Sequence, residues 1–248
     1  AAQPPAKVLL ARADIAKIAQ VKAGTIKTAN ARWWGFAPAD ATDCLQNAIN
    51  SGVSKLIVDN TGSDWIVNKP IQLVSNQQIV FADGVVVQAK KDSFHGNNDS
   101  LFVASGLSNI EMIGEGKAVL RMRKEDYHDA IKYTKAEWRM GISLHDVTNF
   151  TMRNLTVANT GGDGLYVGAG SNGASKNILV ENCVFDANNR QGISVISVDG
   201  FTVRDSKFIN TDGTAPQAGI DFEPNAPGQQ LSNCVMENCL FANNTGGG

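Results

Sequence analysis

From residue 55 onward the chain carries short apolar runs set among polar residues. They are Lys55-Leu-Ile-Val-Asp59, Trp65-Ile-Val67, Ile71-Gln-Leu-Val74, Gln78-Ile-Val-Phe81 and Val85-Val-Val87. They are rich in β-branched residues and broken by Asn, Gly or Asp, a pattern that predicts strands joined by tight corners. A longer phrase then recurs at residues 150–159, 178–188, 201–210 and 234–243. Each copy reads apolar, x, apolar, charged, Asn or Asp, small or apolar, x, apolar, and ends near an Asn. After the first three copies a glycine opens a second short strand: Gly164-Leu-Tyr-Val, Gly192-Ile-Ser-Val and Gly219-Ile-Asp-Phe. Together with Gly141 these glycines lie 23, 28 and 27 residues apart. A period of about 20–30 residues with several strands per unit predicts a β-solenoid. Leucine does not recur at the fixed positions of a leucine-rich repeat.

The repeated Asn has a backbone reason. Asn154, Asn182, Asp205 and Asn238 fall between two apolar segments, where a sharp corner needs the left-handed conformation that Asn and Asp tolerate. Stacked corners place these side chains about 4.8 Å apart, so amides can bond up the ladder. Ahead of the repeats, Ala11 to Gln20 has weak helical character and Trp33-Trp34-Gly-Phe36 forms an aromatic knot. Residues 39–51 predict an amphipathic helix, with Cys44, Leu45, Ala48 and Ile49 on one stripe, Asp40 or Thr42 as N-cap and Gly52 as terminator. A helix there would cap the open first coil. The expected organisation is an N-terminal extension over 1–37 and a solenoid over 38–248.

The capping helix, unequal coils, corner Asn ladder and Asn-x-x-Gly phrases together resemble the right-handed parallel β-helix proteins of the pectate-lyase and polygalacturonase superfamily. The resemblance covers roughly residues 38–248 and implies an all-β, single-stranded right-handed parallel β-helix with an N-terminal α-helical cap. Its activity motifs match only in part. The polygalacturonase Asn-Thr-Asp-Gly phrase has the letters of Asn210-Thr-Asp-Gly213 and the position of Asn159-Thr-Gly-Gly-Asp-Gly164, which makes Asp212 and Asp163 candidates. The family's Asp-Asp pair and Gly-His-Gly are absent. Asn189-Arg-Gln-Gly192 is similar to the Arg-His-Gly phrase of mannuronan epimerases and their lyase relatives, with Gln191 in place of the His.

Alternation within the glycine strands turns Leu165, Val167, Ile193, Val195, Ile220 and Phe222 inward and Tyr166, Ser194, Asp221 and Glu223 outward. Asp163 and Gln191 precede the glycines on that outer face, and His145 belongs to it one coil earlier. Asp221 and Glu223, two residues apart on a strand, should hold their carboxylates about 6–7 Å apart. Asp163 should lie about 10 Å from Asp221 along the axis. Paired carboxylates near these separations suit glycoside hydrolysis, one as acid and one as base. The expected acid/base carboxylates are Asp221 and Asp163, with Glu223 a third acidic candidate, and Arg190, Tyr166, His145, Gln191 and Asp212 binding substrate. Plain solvation competes for each acid, and Asp221-Phe-Glu-Pro-Asn225 also has the look of a calcium site. Arg190 either pairs a structural carboxylate or binds an acidic sugar. The 121–139 segment is a polar insertion whose Tyr127, Tyr133 and Trp138 either stack on sugar rings or pack on the barrel. Thr214-Ala-Pro-Gln217 is a second departure from the repeat.

Composition narrows the partners. A net charge of -2 gives no broad basic surface for nucleic acid, and no apolar run reaches the roughly 20 residues of a membrane helix. Four cysteines are too few for a disulfide scaffold, and Cys183 and Cys239, two coils apart, are too distant to bridge. No phosphate loop or zinc spacing is present. The resemblance together with the acidic outer row implies a secreted or periplasmic carbohydrate-active enzyme, with a polysaccharide as partner and no required cofactor, Ca2+ being optional. A glycoside hydrolase is the first expectation. A polysaccharide lyase or C5-epimerase is the second, and a non-catalytic glycan-binding or adhesin solenoid the third. The fourth repeat stops where earlier copies begin their glycine strand, so a C-terminal continuation of the β-helix is also expected.

Overall fold

The computed structural model describes residues 12–248. Every strand pairing it contains is parallel, and the strands wind into successive coils. One sheet passes through residues 28–30, 55–58, 77–81, 108–121, 148–158, 175–181, 198–204 and 231–237. A branch of the same sheet, bent around the corner, carries 65–67, 86–89, 184–186, 207–209 and 240–242. The opposite sheet has six strands: β1 (Ile71–Gln72), β2 (Phe102–Ser105), β3 (Ile142–His145), β4 (Leu165–Gly168), β5 (Gln191–Val195) and β6 (Ala218–Phe222).

The phrase repeat becomes vertical columns inside the coil. Ile110, Phe150, Ile178 and Phe201 stand in register, as do Met112, Met152, Val180 and Val203, and all are buried. Phe185, Phe208 and Phe241 stack face to face, with ring centroids 5.2 and 4.9 Å apart. Each such side chain, taken fully from water, contributes about 1.5–3 kcal/mol. The repeated glycines open the strands beside this stack. A Cβ on Gly164 would lie 2.7 Å from the Gly192 carbonyl oxygen and 2.6 Å from the Phe185 ring, and one on Gly192 would lie 2.3 Å from the Gly219 carbonyl oxygen. Only a residue without a side chain lets neighbouring coils approach that closely.

The corner Asn residues adopt the left-handed backbone expected of them, with φ of 55° at Asn154, 52° at Asn182, 52° at Asp205 and 50° at Asn238. Asn182 donates to Asn154 Oδ1 at 2.8 Å, and Asn238 donates to Asp205 Oδ1 at 2.5 Å. A second ladder joins Asn76, Asn109, Asn149 and Asn177 through amide bonds of 2.8, 2.9 and 3.0 Å.

At the N-terminal end, helix Thr42–Asn50 lays Cys44, Leu45, Ala48 and Ile49 on the first coil. The helix has no side-chain bond from its N-cap, Ala41. Instead Asp40, one residue earlier, accepts from both the Thr42 amide and hydroxyl, at 3.1 and 2.6 Å, and pairs with Lys90 at 2.8 Å. Helix Ile15–Lys22 covers part of the weakly helical segment, whose first residue lies outside the described residues. The cysteines are unpaired thiols. Burial pushes the Cys183 thiol up to about 12. At the other end, Phe222, Val235, Met236 and Leu240 are exposed.

Candidate functional site

Parallel register in the six-strand sheet lines up the predicted outer row. Ser143, Tyr166, Ser194 and Asp221 follow one another on β3, β4, β5 and β6. His145 stands two residues along from Ser143, and Glu223 follows Asp221 just past β6. The outward direction is as expected, but exposure is not. Asp163, Gln191 and Ser194 are completely buried, so the simple picture of a solvated outer face is corrected. The chain just before β3, carrying Glu137, Trp138 and Met140, lies over this part of the sheet. Met140 Sδ accepts the Asp163 amide at 3.1 Å, and Glu137 Oε2 sits 3.7 Å from Arg190 Nε.

Arg190 turns outward into the acids. Its Nη1 lies 3.5 Å from both Asp163 oxygens and donates to Ser194 Oγ at 3.2 Å, while Nη2 donates to Glu223 Oε1 at 2.9 Å. Ser194 Oγ donates to Asp163 Oδ2 at 2.7 Å. Desolvation dominates at Asp163. Complete burial pushes its carboxyl up to about 7, and the Glu223 charge adds to that, although Arg190 and the Ser194 hydroxyl pull the other way. Burial also raises Asp221, helped by Glu223, against the opposing pull of Arg190 and Gln191.

Gln191 couples the two remaining carboxylates. Its Nε2 donates to Glu223 Oε1 at 2.9 Å and to Asp221 Oδ2 at 3.3 Å. One amide nitrogen thus fixes the spacing of two acids that project from the same side of one strand. Both are partly exposed, whereas Asp163 is sealed beneath them. The expected pairing of Asp163 with Asp221 as acid and base is therefore revised: the accessible pair is Asp221 and Glu223, and Asp163 anchors Arg190 from below. Among the described residues, no three His, Cys, Asp or Glu side chains gather in a metal-binding geometry, and the Gln191 N–H points into the space between Asp221 and Glu223.

A groove of about 470 Å³ runs along this face, lined by Trp138, Tyr166, His145, Arg190, Glu223 and Asn225 among others. Tyr166 folds over Gly168, where a Cβ would lie 2.6 Å from its ring. The His145 and Tyr166 ring centroids are 5.2 Å apart, and His145 Nε2 shares a 2.9 Å hydrogen bond with Ser143 Oγ. Of the three aromatic residues of the insertion, only Trp138 faces the groove. Tyr127 and Tyr133 are buried and flank the Arg139 guanidinium at 5.2 and 5.4 Å. Asp212 is not brought to the site. It sits in an exposed turn, where its carbonyl accepts from Lys124 and its carboxylate from Gln217. Ser143, Asn98, Glu137 and Asn225 join the site without a sequence signal strong enough to single them out.

The fold and this groove define a right-handed parallel β-helix protein. Residues 130–248 match the family described as "Right handed beta helix region". An uncharacterized SPβ prophage-derived protein, YorA, of Bacillus subtilis (strain 168) is 25% identical over 165 residues, 62% of this chain. The chain spans 28% of the length of YorA. A candidate glycosyl hydrolase of Parabacteroides merdae ATCC 43184 superposes with a TM-score of 0.66 at 17% identity, covering 87% of this chain and 98% of that one. An iota-carrageenase complexed to iota-carrageenan fragments superposes with the same TM-score at 18% identity, over 86% of this chain and 49% of that one. At these identities the likeness is one of fold.

Proposed function

We propose that this chain is a glycoside hydrolase acting on a polysaccharide laid along the groove, with Asp221 and Glu223 as its catalytic carboxylates. The observation that carries the reading is the accessible pair on one strand, spaced by a single Gln191 amide, at an aromatic-walled groove. Asp221, which burial and its neighbour's charge shift towards the protonated form, is the acid that gives a proton to the glycosidic oxygen as the C–O bond breaks. Glu223 attacks the anomeric carbon as that bond breaks, and water, giving its proton to Asp221, then displaces Glu223. One Gln191 nitrogen bonded to both carboxylates at 2.9 and 3.3 Å favours the close spacing of such a retaining pair. Trp138 and Tyr166 offer ring faces to sugar C–H surfaces. Two solved β-helix structures of similar fold, the candidate glycosyl hydrolase and the carrageenase, support a glycan-degrading role.

A lyase or epimerase mechanism needs a base near C5 and a free cation on the uronate carboxylate. Arg190 is already engaged by three carboxylates, which favours hydrolysis. The test is a panel of neutral and acidic polysaccharides assayed both for new reducing ends and for unsaturated uronates. New reducing ends without unsaturation are expected, and Glu223→Gln and Asp221→Asn should each lower turnover about 10²–10⁴-fold with the fold intact. Unsaturated products would show β-elimination instead. Retention on a glycan with no product of either kind would make the chain a binding solenoid.

A further inference from the structure

The charge balance of the groove bears on which sugars it takes, an inference that rests on the glycan reading above. Arg190 is the only lysine or arginine among the described residues lining the groove. Its guanidinium faces Asp163 at 3.5 Å, Glu223 at 2.9 Å and Glu137 at 3.7 Å. Asp221 adds a fourth carboxyl beside Glu223, joined to it through Gln191. Four carboxyls thus surround one guanidinium, and Glu223 is the one that lines the groove beside it. The other groove-lining side chains with hydrogen-bonding capacity are the uncharged Asn98, Ser100, Trp138, Ser143, Tyr166 and Asn225, together with His145.

Binding a carboxylated or sulfated sugar here would require Arg190 to leave at least one of its partners. That would strand a charge in a site where Asp163 is wholly buried and the Arg190 side chain is 16% exposed. A like charge brought against Glu223 is repelled in addition. Hydroxyl groups, by contrast, meet acceptors on Glu223 and donors on Asn98 and Asn225 without displacing any ion pair.

We infer that the groove selects uncharged glycan chains and excludes polyanionic ones, with Glu137 of the insertion as a specificity-determining residue that closes the third side of Arg190. Glu137 enters from outside the repeat, so the exclusion is set by the insertion rather than by the β-helix itself.

Affinity electrophoresis of the full chain tests this at about pH 8, where sugar carboxylates and sulfates are ionised. The gels hold matched glycans differing only in charge: fully methyl-esterified against de-esterified polyuronate, and unsulfated against sulfated galactan. The wild type should be retarded at least about tenfold more strongly by a neutral member than by its acidic counterpart. Glu137→Gln should gain retardation by the acidic members while keeping its thermal midpoint. Equal or stronger retardation of the wild type by an acidic member overturns the inference and leaves the hydrolase reading standing. No gain in Glu137→Gln overturns the role given to Glu137. Retardation by none of the glycans, together with no product from any, overturns the glycan reading and the inference with it.

Discussion

Asp163 shows how burial can outweigh a nearby guanidinium. It is wholly buried, and desolvation lifts its carboxyl from an ordinary 3.8 to about 7 despite Arg190 and Ser194. In the unfolded chain the same group ionises near its ordinary value, so between about pH 4 and 7 the folded protein binds more protons. The contribution of Asp163 to stability is thus fully present below pH 4 and is lost as pH rises through 7. Asp163→Asn removes that dependence. The wild type should lose stability relative to the variant across this window, by on the order of a few kcal/mol, and the difference should level off above it. Chemical unfolding of both proteins at a series of pH values measures it, and parallel curves would argue against the raised value. Arg190 keeps Glu223 and Glu137 as partners in the variant, so the site does not collapse around an unpaired cation.

The coil as an element depends on two backbone devices, and the repeat phrase encodes both. In the last three strands of the six-strand sheet the opening glycine, Gly164, Gly192 or Gly219, lies under the next coil's carbonyl and against the phenylalanine stack. Gly192→Ala would set a Cβ 2.3 Å from the Gly219 oxygen and 2.7 Å from the Phe208 ring. Overpacking of this kind typically costs about 1–3 kcal/mol, and urea unfolding should show a midpoint shift of that size. Because Gly192 leads directly into Ser194 and the Gln191 pair, activity in the same variant should fall more than stability alone explains. The corner Asn ladder needs both the left-handed φ and an amide to pass on, which is why Asp205 can receive from Asn238 but has no N–H to donate onward. The first of the two ladders stands out in the sequence because its Asn lies between two apolar runs. The second, from Asn76 to Asn177, is hidden because its Asn follows Ser, Thr or Lys and looks like ordinary loop composition.

At the scale of the whole molecule, the end of the insertion packs over part of the six-strand sheet. Arg139 is fully buried between Tyr127 and Tyr133, and donates to the carbonyls of Phe94, His95 and Thr134 at 2.8 to 3.3 Å. It ties the insertion to the preceding loop and so places Glu137 and Trp138 over the groove. Arg139→Ala leaves several buried carbonyls without donors and removes the packing between two rings, a change worth about 2–4 kcal/mol. Limited proteolysis should then cut within residues 124–138 well before the coils open, and KM for the glycan should rise more than kcat falls. Uniform loss of the whole fold, with no early cut in this segment, would show that Arg139 supports the barrel rather than the insertion.

The sequence alone determined the solenoid, its glycine corners, its inner apolar columns and the capping helix, because each of these is a local rule repeated at a fixed period. It also placed Tyr166, Ser194, Asp221 and Glu223 on one face, since strand alternation allows no other arrangement once the inner residues are known. What it did not determine was which acids meet solvent. Asp163 and Asp221 look alike as letters before or after a strand glycine, yet one is sealed among Met140, Arg190 and Ser194 and the other, on the last strand of the sheet, is partly open. The partners of Arg190 were equally beyond reach: whether a flexible cation faces the barrel, the solvent or three carboxylates depends on which charges the coils stack around it. Only the tertiary structure decides such contacts, because burial and Coulomb energy act through space and follow no period along the chain.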